Sequence, residues 1–395
     1  MHLLLARGVF ALVTAQVPDT LTIDEALARA RSVRPRVIVA SAIVERAVGA
    51  ARVGAIIPNP TAQFETDDLA PTYKLTATQS LAWLPRRGAD LAAGRAGVER
   101  ARSDSAQTLA DVARDVRRSF FGALAAERQL VLAAEQGALA DSLARLATRR
   151  ASAGDISDLE RDQISLEASR ARLAAEQARQ SADVARAELA RAVAWPSATP
   201  PRASGALDAG LGDLHGPAPG APIDALPFVR GAVADSSAAA SRLRAARIAR
   251  IPIPGIVAGR EWGAGSGQNL ILGLVIPIPL FSQGAEAVQQ ARGAADELSA
   301  LAAESRLIAR SQLEGARARM ESSDRRARFA RDSLLPEARR VRAGAVRLYE
   351  EGRTSVLPVL DALRAEREVA RATVVELLAF QEARADLDAV LGRWP

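Results

Sequence analysis

The chain has 395 residues, of which 49% are hydrophobic and only 4% aromatic, and its formal net charge is +6 at pH 7. Arginines are scattered among glutamates and aspartates instead of forming basic blocks, which argues against a nucleic-acid-binding protein. Because the chain has no cysteine, disulfides, thiolate metal sites and a lipid-anchored N-terminal cysteine are excluded.

Residues 1–18 are interpreted as a degraded export signal. The segment has a short apolar stretch, which Arg7 interrupts, and a small-residue site at 13–15 where a signal peptidase could cut. An ordinary frayed terminus is the alternative. Nowhere in the chain do 18 apolar residues follow one another, so no transmembrane helix is predicted.

The first helix is predicted to begin at Thr22, which acts as N-cap with Glu25 as its capping-box partner. Pro35 interrupts this helix, which then resumes to about residue 55. A corresponding helix in the second half is predicted to begin near Asp224 and to end before Pro252.

Two strand-like segments follow the first helix in each half of the chain. In segment 73–84 apolar and polar residues alternate, as in a strand with different surroundings on its two sides. The apolar run of segment 269–284 ends at Pro277 and Pro279, which no helix interior tolerates. We therefore predict a strand that ends just before a helix begins.

These four strands, about ten residues each, are predicted to cross a membrane obliquely. Tyr73 and Trp262 would lie near one membrane interface, with Trp83 and Phe281 near the other, as an aromatic girdle requires. Four strands leave two open edges, which lipid does not permit, so copies of the same chain must complete the sheet. Two copies would supply eight strands, whose interior side chains would fill; three supply twelve strands and room for a channel. The alternative is a small soluble sheet that caps the helices.

A very long helix is predicted after each strand pair, and a glycine-marked turn and a returning helix follow it. In the last helix, apolar residues recur at spacings of three and four, with Glu366 and Arg384 as the only charged interruptions. Because so long an apolar stripe must be covered along its whole length, these helices are predicted to pair as antiparallel coiled coils.

Internal similarity predicts that the chain is one structural unit used twice. Residues 81–101 match 277–297, and residues 187–196 match 385–395, at about half the chain length. The predicted organisation is a first repeat over 19–196, a connector rich in proline and glycine over 197–222, and a second repeat over 223–395. After its first helix, the first repeat is predicted to contain strands 59–66 and 73–84, long helix 88–152 and helix 156–193. The second repeat is predicted to contain strands 255–262 and 268–280, long helix 284–350 and helix 355–392.

This pattern resembles the TolC-type outer-membrane efflux proteins. The matching motifs are "LTIDEALARAR" followed by Arg34-Pro35, "IPNP" at 57–60, "PLFSQG" at 279–284 and "YEEGRTSVLPVLDALRAERE" at 349–368. Each motif is weak alone, but their order and spacing are specific, and with the duplication they cover nearly the whole chain after residue 20.

The resemblance implies a mostly α-helical homotrimer in the outer membrane, with a twelve-stranded transmembrane barrel and a long periplasmic tunnel of coiled-coil helices. Its implied partners are outer-membrane lipid, a periplasmic adaptor (membrane fusion) protein and an inner-membrane pump of the proton-driven type. The protein would be a passive duct for drugs or heavy metals, without enzymatic activity, cofactor or resident metal. The short loops and the missing anchor cysteine favour the heavy-metal exporter branch, by analogy alone.

The resemblance also implies a gate and a docking surface. In this family two aspartates often form the constriction; here Asp361 matches the second, and Pro358 replaces the first. Asp155 and Asp158 are weaker gate candidates, and Asp361 could equally be a solvated helix residue. The implied adaptor-docking tips are Gly154, Asp155, Gly352, Arg353, Thr354 and Ser355, although both glycines could simply terminate helices.

Other signals do not indicate a catalytic site. "GAGSG" at 263–267 resembles a dinucleotide loop but joins two strands, and His215 has no histidine or cysteine companions in the connector. Asp67 and Asp68 are explained by turn chemistry. The alternative function is a soluble periplasmic coiled-coil scaffold without a pore.

Overall fold

The computed structural model describes residues 20–54, 56–67, 72–213, 223–263, 266–281 and 283–394. The predicted export signal, His215 and Asp68 lie outside the described residues. Among the described residues, no helix has both the length and the apolar character that a membrane span requires.

Helices dominate the fold. The helices are α1 (Ile23–Val33), α2 (Pro35–Val53), α3 (Trp83–Ser152), α4 (Asp158–Ala192), α5 (Pro227–Ala249), α6 (Ala285–Phe329), α7 (Leu335–Glu350) and α8 (Val356–Val390). The strands are β1 (Thr20–Leu21), β2 (Thr61–Asp67), β3 (Thr72–Ser80), β4 (Arg202–Ala203), β5 (Gly255–Gly263) and β6 (Ser266–Val275). The predicted fold class, mostly helical with a few strands, is confirmed.

The predicted start of the first helix is confirmed. Thr22 is the N-cap of α1, and it forms a capping box with Glu25: the Glu25 amide donates to Thr22 Oγ1 and the Thr22 amide donates to the Glu25 carboxylate. Pro35 separates α1 from α2, because the residue before a proline is driven out of the helical conformation.

Several element boundaries differ from those expected. Strand β3 ends at Ser80 and α3 already begins at Trp83, because Pro85 falls in its first turn, where a proline costs no hydrogen bond. Strand β6 ends at Val275, before the two prolines that cannot donate to a strand ladder. The long helix expected over 284–350 is interrupted by a π-turn, Ala330–Leu334, just before Pro336, which lacks the amide that an α-helix needs.

The sheet has the strand order β2-β3-β5-β6, and all its neighbours are antiparallel. In the register, Tyr73 lies opposite both Thr66 and Trp262, and Leu270 lies opposite Arg260. The β3–β5 pairing joins the two sequence repeats, so the two predicted hairpins form one sheet. Strands β1 and β4 pair separately in parallel.

The chain divides into two compact units. The helical unit contains residues 20–34, 115–213 and 321–385, and the sheet unit contains residues 35–114, 223–320 and 386–394 with the gaps stated above. In the helical unit, an apolar core lies next to the turns that join α3 to α4 and α7 to α8. Its buried members are Leu143, Ala147, Ile164, Tyr349, Val356, Val359, Leu360 and Leu363.

The sheet unit has its own contacts between helices. Leu226, Val229 and Ala309 form a buried cluster that joins the start of α5 to α6. Arg100 of α3 donates to the Asp235 carboxylate of α5 at 2.7 Å. These contacts fix the helices that continue from the sheet.

The repeat is visible in how the returning helices end. At the end of α4 the Trp195 amide donates to the Ala190 carbonyl, and at the end of α8 the Arg393 amide donates to the Asp388 carbonyl. The residue before each donor has a positive φ, which is 49° at Ala194 and 67° at Gly392. The two helices thus share one C-terminal motif, for which glycine is the favoured residue.

This motif predicts opposite effects for two substitutions. Gly392→Ala is expected to lower the free energy of unfolding by more than about 1 kcal/mol, because φ is positive and a Cβ would overlap the Pro227 ring. Ala194→Gly is expected to raise it by about 0.5 to 1 kcal/mol. Chemical unfolding followed by circular dichroism measures both. Ala190→Gly, inside α4, is the control and is expected to destabilise; a stabilised Gly392→Ala variant would contradict this assignment.

Candidate functional sites

The sheet has one apolar and one polar face. The register places Phe64, Leu75 and Leu270 with the aromatic residues Tyr73 and Trp262 on one face. The opposite face carries Gln63, Glu65, Lys74, Thr76, Thr78, Gly259 and Glu261. The first face also carries Arg260, opposite Leu75 and Leu270, and the second also carries Val257 and Ile271, so the alternation expected from the sequence is clearest in β3.

The apolar face is the more exposed one. In β3, Tyr73, Leu75 and Ala77 are exposed, whereas Thr76 on the polar face is only 8% exposed. In β6, Leu272 is 72% exposed. A sheet in water places its apolar residues inside and its polar residues outside, so this sheet has the reverse arrangement, which is typical of membrane barrels.

Two of the four predicted girdle residues lie in neighbouring positions on this apolar face. The rings of Tyr73 and Trp262 stack with centroids 6.1 Å apart, and Phe64 extends the row at 6.3 Å from Tyr73. Trp83 lies at the start of α3 and Phe281 lies beyond the end of β6, where it is fully exposed. Both therefore follow the strand ends that lie away from the Tyr73–Trp262 pair.

The charges of the polar face lie near the hairpin ends of the strands. Lys74 Nζ lies 3.6 Å from Glu65 Oε2, and Gln63 donates to the Glu65 carboxylate at 2.6 Å. Glu261 is the strand partner of Lys74 on its other side. Farther along the strands this face carries only neutral side chains, many of them small.

The helical unit contains the two predicted tips. Gly154 ends the turn after α3 with φ 81°, and Gly352 ends the turn after α7 with φ 71°. The next residue closes each turn: the Asp155 amide donates to the Arg150 carbonyl and the Arg353 amide donates to the Leu348 carbonyl. Both glycines therefore end helices in the left-handed conformation that favours glycine.

The three gate candidates are exposed acidic side chains near these tips. The Asp361 side chain is 65% exposed, and its nearest cation is Arg364 at 3.6 Å. Asp158 is the first residue of α4 and pairs with Arg161 at 2.6 Å. Asp155 is exposed in the turn itself. Thr354 and Ser355, predicted as docking residues, lie between the Gly352 turn and the start of α8.

A buried tyrosine anchors the tips. Tyr349 is 2% exposed, and Arg150 lies over its ring at 5.1 Å while donating to its backbone carbonyl. Burial raises the pKa of Tyr349 above its ordinary value of 10.0, although the charge of Arg150 opposes the shift.

The raised pKa of Tyr349 predicts an alkaline weakening of the tips. The neutral phenol is favoured in the folded state, so its contribution to stability is complete below pH 10 and is lost as the pH rises through the raised pKa. The melting temperature of Tyr349→Phe is expected to fall less than that of the wild type above about pH 10. Since the chain has only two tyrosines, an ultraviolet titration of the Tyr73→Phe variant reports Tyr349 alone. A pKa at or below the ordinary value would contradict this prediction.

Two buried glutamates occupy similar places in the two returning helices. Glu167 of α4 lies 2.9 Å from Arg367 and 3.3 Å from Arg364 of α8, and Glu366 of α8 lies 3.0 Å from Arg342 of α7. The sequence showed Glu366 only as an interruption of an apolar stripe, and gave no signal for Glu167. These ion pairs link α4 to α8 and α8 to α7, and removing one partner would leave a buried charge uncompensated.

An apolar stripe on α4 is left uncovered. Leu159, Leu166 and Leu173 recur at intervals of seven residues, and Leu173 is 61% exposed. A stripe with this spacing is the surface that a coiled-coil helix presents to a partner.

The sequence was compared with protein families and with known proteins. No family model matches the chain. The cobalt-zinc-cadmium resistance protein CzcC of Cupriavidus metallidurans is 26% identical over 387 residues, which cover 94% of this chain and 90% of CzcC.

Solved channel structures share the fold. CusC, whose structures describe transmembrane channel formation, is 17% identical with a TM-score of 0.79, and the match covers 93% of this chain and 91% of CusC. The outer-membrane channel OprN is 17% identical with a TM-score of 0.78, and the match covers 94% of this chain and 89% of OprN. The expected resemblance to the TolC-type outer-membrane efflux proteins is therefore confirmed, in sequence by CzcC and in fold by the solved channels.

Proposed function

We propose that the protein is the outer-membrane exit duct of a tripartite efflux system, with a long helical extension in the periplasm. One observation carries the proposal: in β5 and over residues 73–78 of β3, the residues on the apolar face are exposed and those on the polar face are half-buried or buried. Lipid is the solvent that suits such a face, and an aqueous lumen suits the other. The alternative, a soluble scaffold, would leave the exposed leucines of β6 in water.

Closure of the sheet requires further copies of the chain. Strands β2 and β6 are the edges of the sheet, and an open edge leaves unpaired backbone groups, which hydrocarbon does not tolerate. Because all neighbours in the sheet are antiparallel, β6 of one copy pairs with β2 of the next in the same alternation. Three copies give a twelve-stranded barrel, wide enough for a lumen.

Disulfide crosslinking tests this closure directly, since the natural chain has no cysteine. Cysteines placed in a scan over 61–65 of β2 and 270–274 of β6 are expected to give covalent dimers and trimers on oxidation. The control pair, Ala77→Cys with Ala258→Cys, lies on directly opposed strands of one chain and is expected to give monomers only. Monomers throughout the scan, together with a soluble product on membrane fractionation, would exclude the duct.

The proposed mechanism is passive diffusion through a water-filled lumen, without catalysis by this chain. A periplasmic adaptor would dock at the tips around Gly154 and Gly352 and separate them, and an inner-membrane pump, of the proton-driven type, would deliver the substrate. The girdle residues Tyr73, Trp83, Trp262 and Phe281 would mark the two membrane interfaces. The resistance named for CzcC supports heavy-metal ions as the substrates.

Asp361 is the proposed gate residue. Threefold symmetry would place three exposed carboxylates around a narrow opening, where they attract cations. Asp361→Asn is expected to weaken the block by divalent cations by about tenfold in planar-bilayer recordings, since each site loses a charged ligand. The control is Glu188→Gln, which removes an exposed acid of α4 far along the helix from the tips. Unchanged block in Asp361→Asn would transfer the role to Asp155 and Asp158 or remove it from the tips.

A further inference from the structure

The helical unit contains a groove between α3, α7 and α8, with a volume of about 450 Å³. Its floor is apolar and is made by all three helices and the connector: Leu124, Leu132, Leu207, Leu335, Val374 and Leu377. Leu207, Val374 and Leu377 are at most 9% exposed, so the floor belongs to the folded interior. Such a floor suits an apolar ligand body.

The rim of the groove is cationic. Its two carboxylates are already paired: Glu127 accepts from Arg186 at 2.8 Å, and Asp208 accepts from Arg331 at 3.0 Å. Arg128, also on the rim, is exposed and forms no ion pair with any described residue. Arg339 is held only loosely, 3.9 Å from Glu366. An anionic group at the rim would therefore find a guanidinium that is free to bind it.

The π-turn forms one wall of this groove. Arg331 belongs to the turn and Leu335 follows it directly, and both line the groove. Beneath it, the buried Thr373 hydroxyl donates to the Val369 carbonyl at 2.8 Å and lies 3.4 Å from the Ala330 carbonyl of the turn. Single π-turns inside α-helices are rare and occur frequently at functional sites. Here the turn places Arg331 where it reaches Asp208 of the connector.

We propose that this groove binds small amphiphilic carboxylates, with the alkyl chain on the leucine floor and the carboxylate at Arg128 and Arg339. A strongly hydrated ion gains nothing from an apolar floor, and a cationic amphiphile would be repelled by Arg128, which has no ion-pair partner among the described residues. A medium-chain fatty acid satisfies both parts of the groove. This inference goes beyond the exit-duct function, because the site lies within one chain and requires no pore.

Photolabelling of the full-length protein in nanodiscs tests the inference. An octanoate analogue with a diazirine at the chain end is expected to label peptides that contain residues 124–132 and 370–377. Unlabelled hexanoate, octanoate and decanoate are expected to compete with affinities that rise about fourfold per methylene, as burial of the chain predicts. Octylammonium is expected not to compete.

Two variants test the roles of the rim and the floor. Arg128→Gln is expected to weaken octanoate competition about tenfold, since a charge-assisted hydrogen bond is lost, and Leu335→Gln is expected to weaken it through the floor. Arg149→Gln, an exposed arginine on α3 outside the groove, is the matched control. Labelling confined to the strand peptides, equal competition by octylammonium, or an unchanged Arg128→Gln variant would overturn the site. If the protein showed no conductance but the groove were still photolabelled, the exit-duct function would be contradicted and the carboxylate site would not.

Discussion

Gly259→Ala is expected to prevent assembly of the membrane sheet. Gly259 lies on the polar face of β5 opposite Thr76, and a Cβ there would overlap the Leu75 carbonyl oxygen and lie 2.9 Å from the Thr76 Cα. Both atoms are backbone, so the β3–β5 pairing itself would have to move. The cost is about 1 to 3 kcal/mol per chain for an overpacked contact, and three chains would bear it in one barrel.

The measurement is the yield of heat-sensitive trimer in the outer-membrane fraction, which is expected to fall at least tenfold. Gly273→Ala is the matched control, because Gly273 lies on the same face of β6 and a Cβ there would meet nothing within 4 Å. If Gly259→Ala assembled as well as Gly273→Ala, the close approach of β3 and β5 would not be needed for the membrane form.

The double variant Leu166→Asp, Leu173→Asp is expected to abolish the trimer and leave the single chain folded. Both leucines belong to the uncovered stripe of α4, and changes at exposed positions alter stability by only about 0.5 kcal/mol. In an assembly, each covered leucine contributes about 1.5 to 3 kcal/mol, so three copies lose a large part of the helical interface.

Light scattering after size exclusion measures the oligomer, and far-ultraviolet circular dichroism measures the fold. Arg179→Asp makes the same change of two charge units at an exposed α4 position on another face of the helix, and it is expected to remain trimeric. A trimer in the double variant would show that another copy does not cover the stripe. If that intact trimer no longer crosslinked to the adaptor, the stripe would be the surface that binds the adaptor.

Local patterns account for what could be predicted. The capping box of Thr22 and Glu25 needs only residues three apart, and the alternation in β3 needs only neighbouring residues. The same holds for the glycines at the helix ends, whose left-handed conformation is a property of the turn. Such signals survive in the sequence because each is complete within a few residues.

Contacts between distant segments were not predictable. Glu167 is buried because Arg364 and Arg367 meet it from another helix, and the sequence shows only a glutamate among arginines. The contact of the π-turn with α8, where the Thr373 hydroxyl lies 3.4 Å from the Ala330 carbonyl, likewise joins residues 43 positions apart. The gate and docking residues are exposed, so their roles depend on partners and stay predictions.

The sequence by itself determined the long helices and the amphiphilic strands, since periodicity and caps are local. Only the tertiary structure decided that the two hairpins join through β3 and β5 into one sheet, that its apolar face is the exposed one, and that a groove opens beside the π-turn. These features depend on contacts between segments far apart in the chain, and no single stretch of residues encodes those contacts.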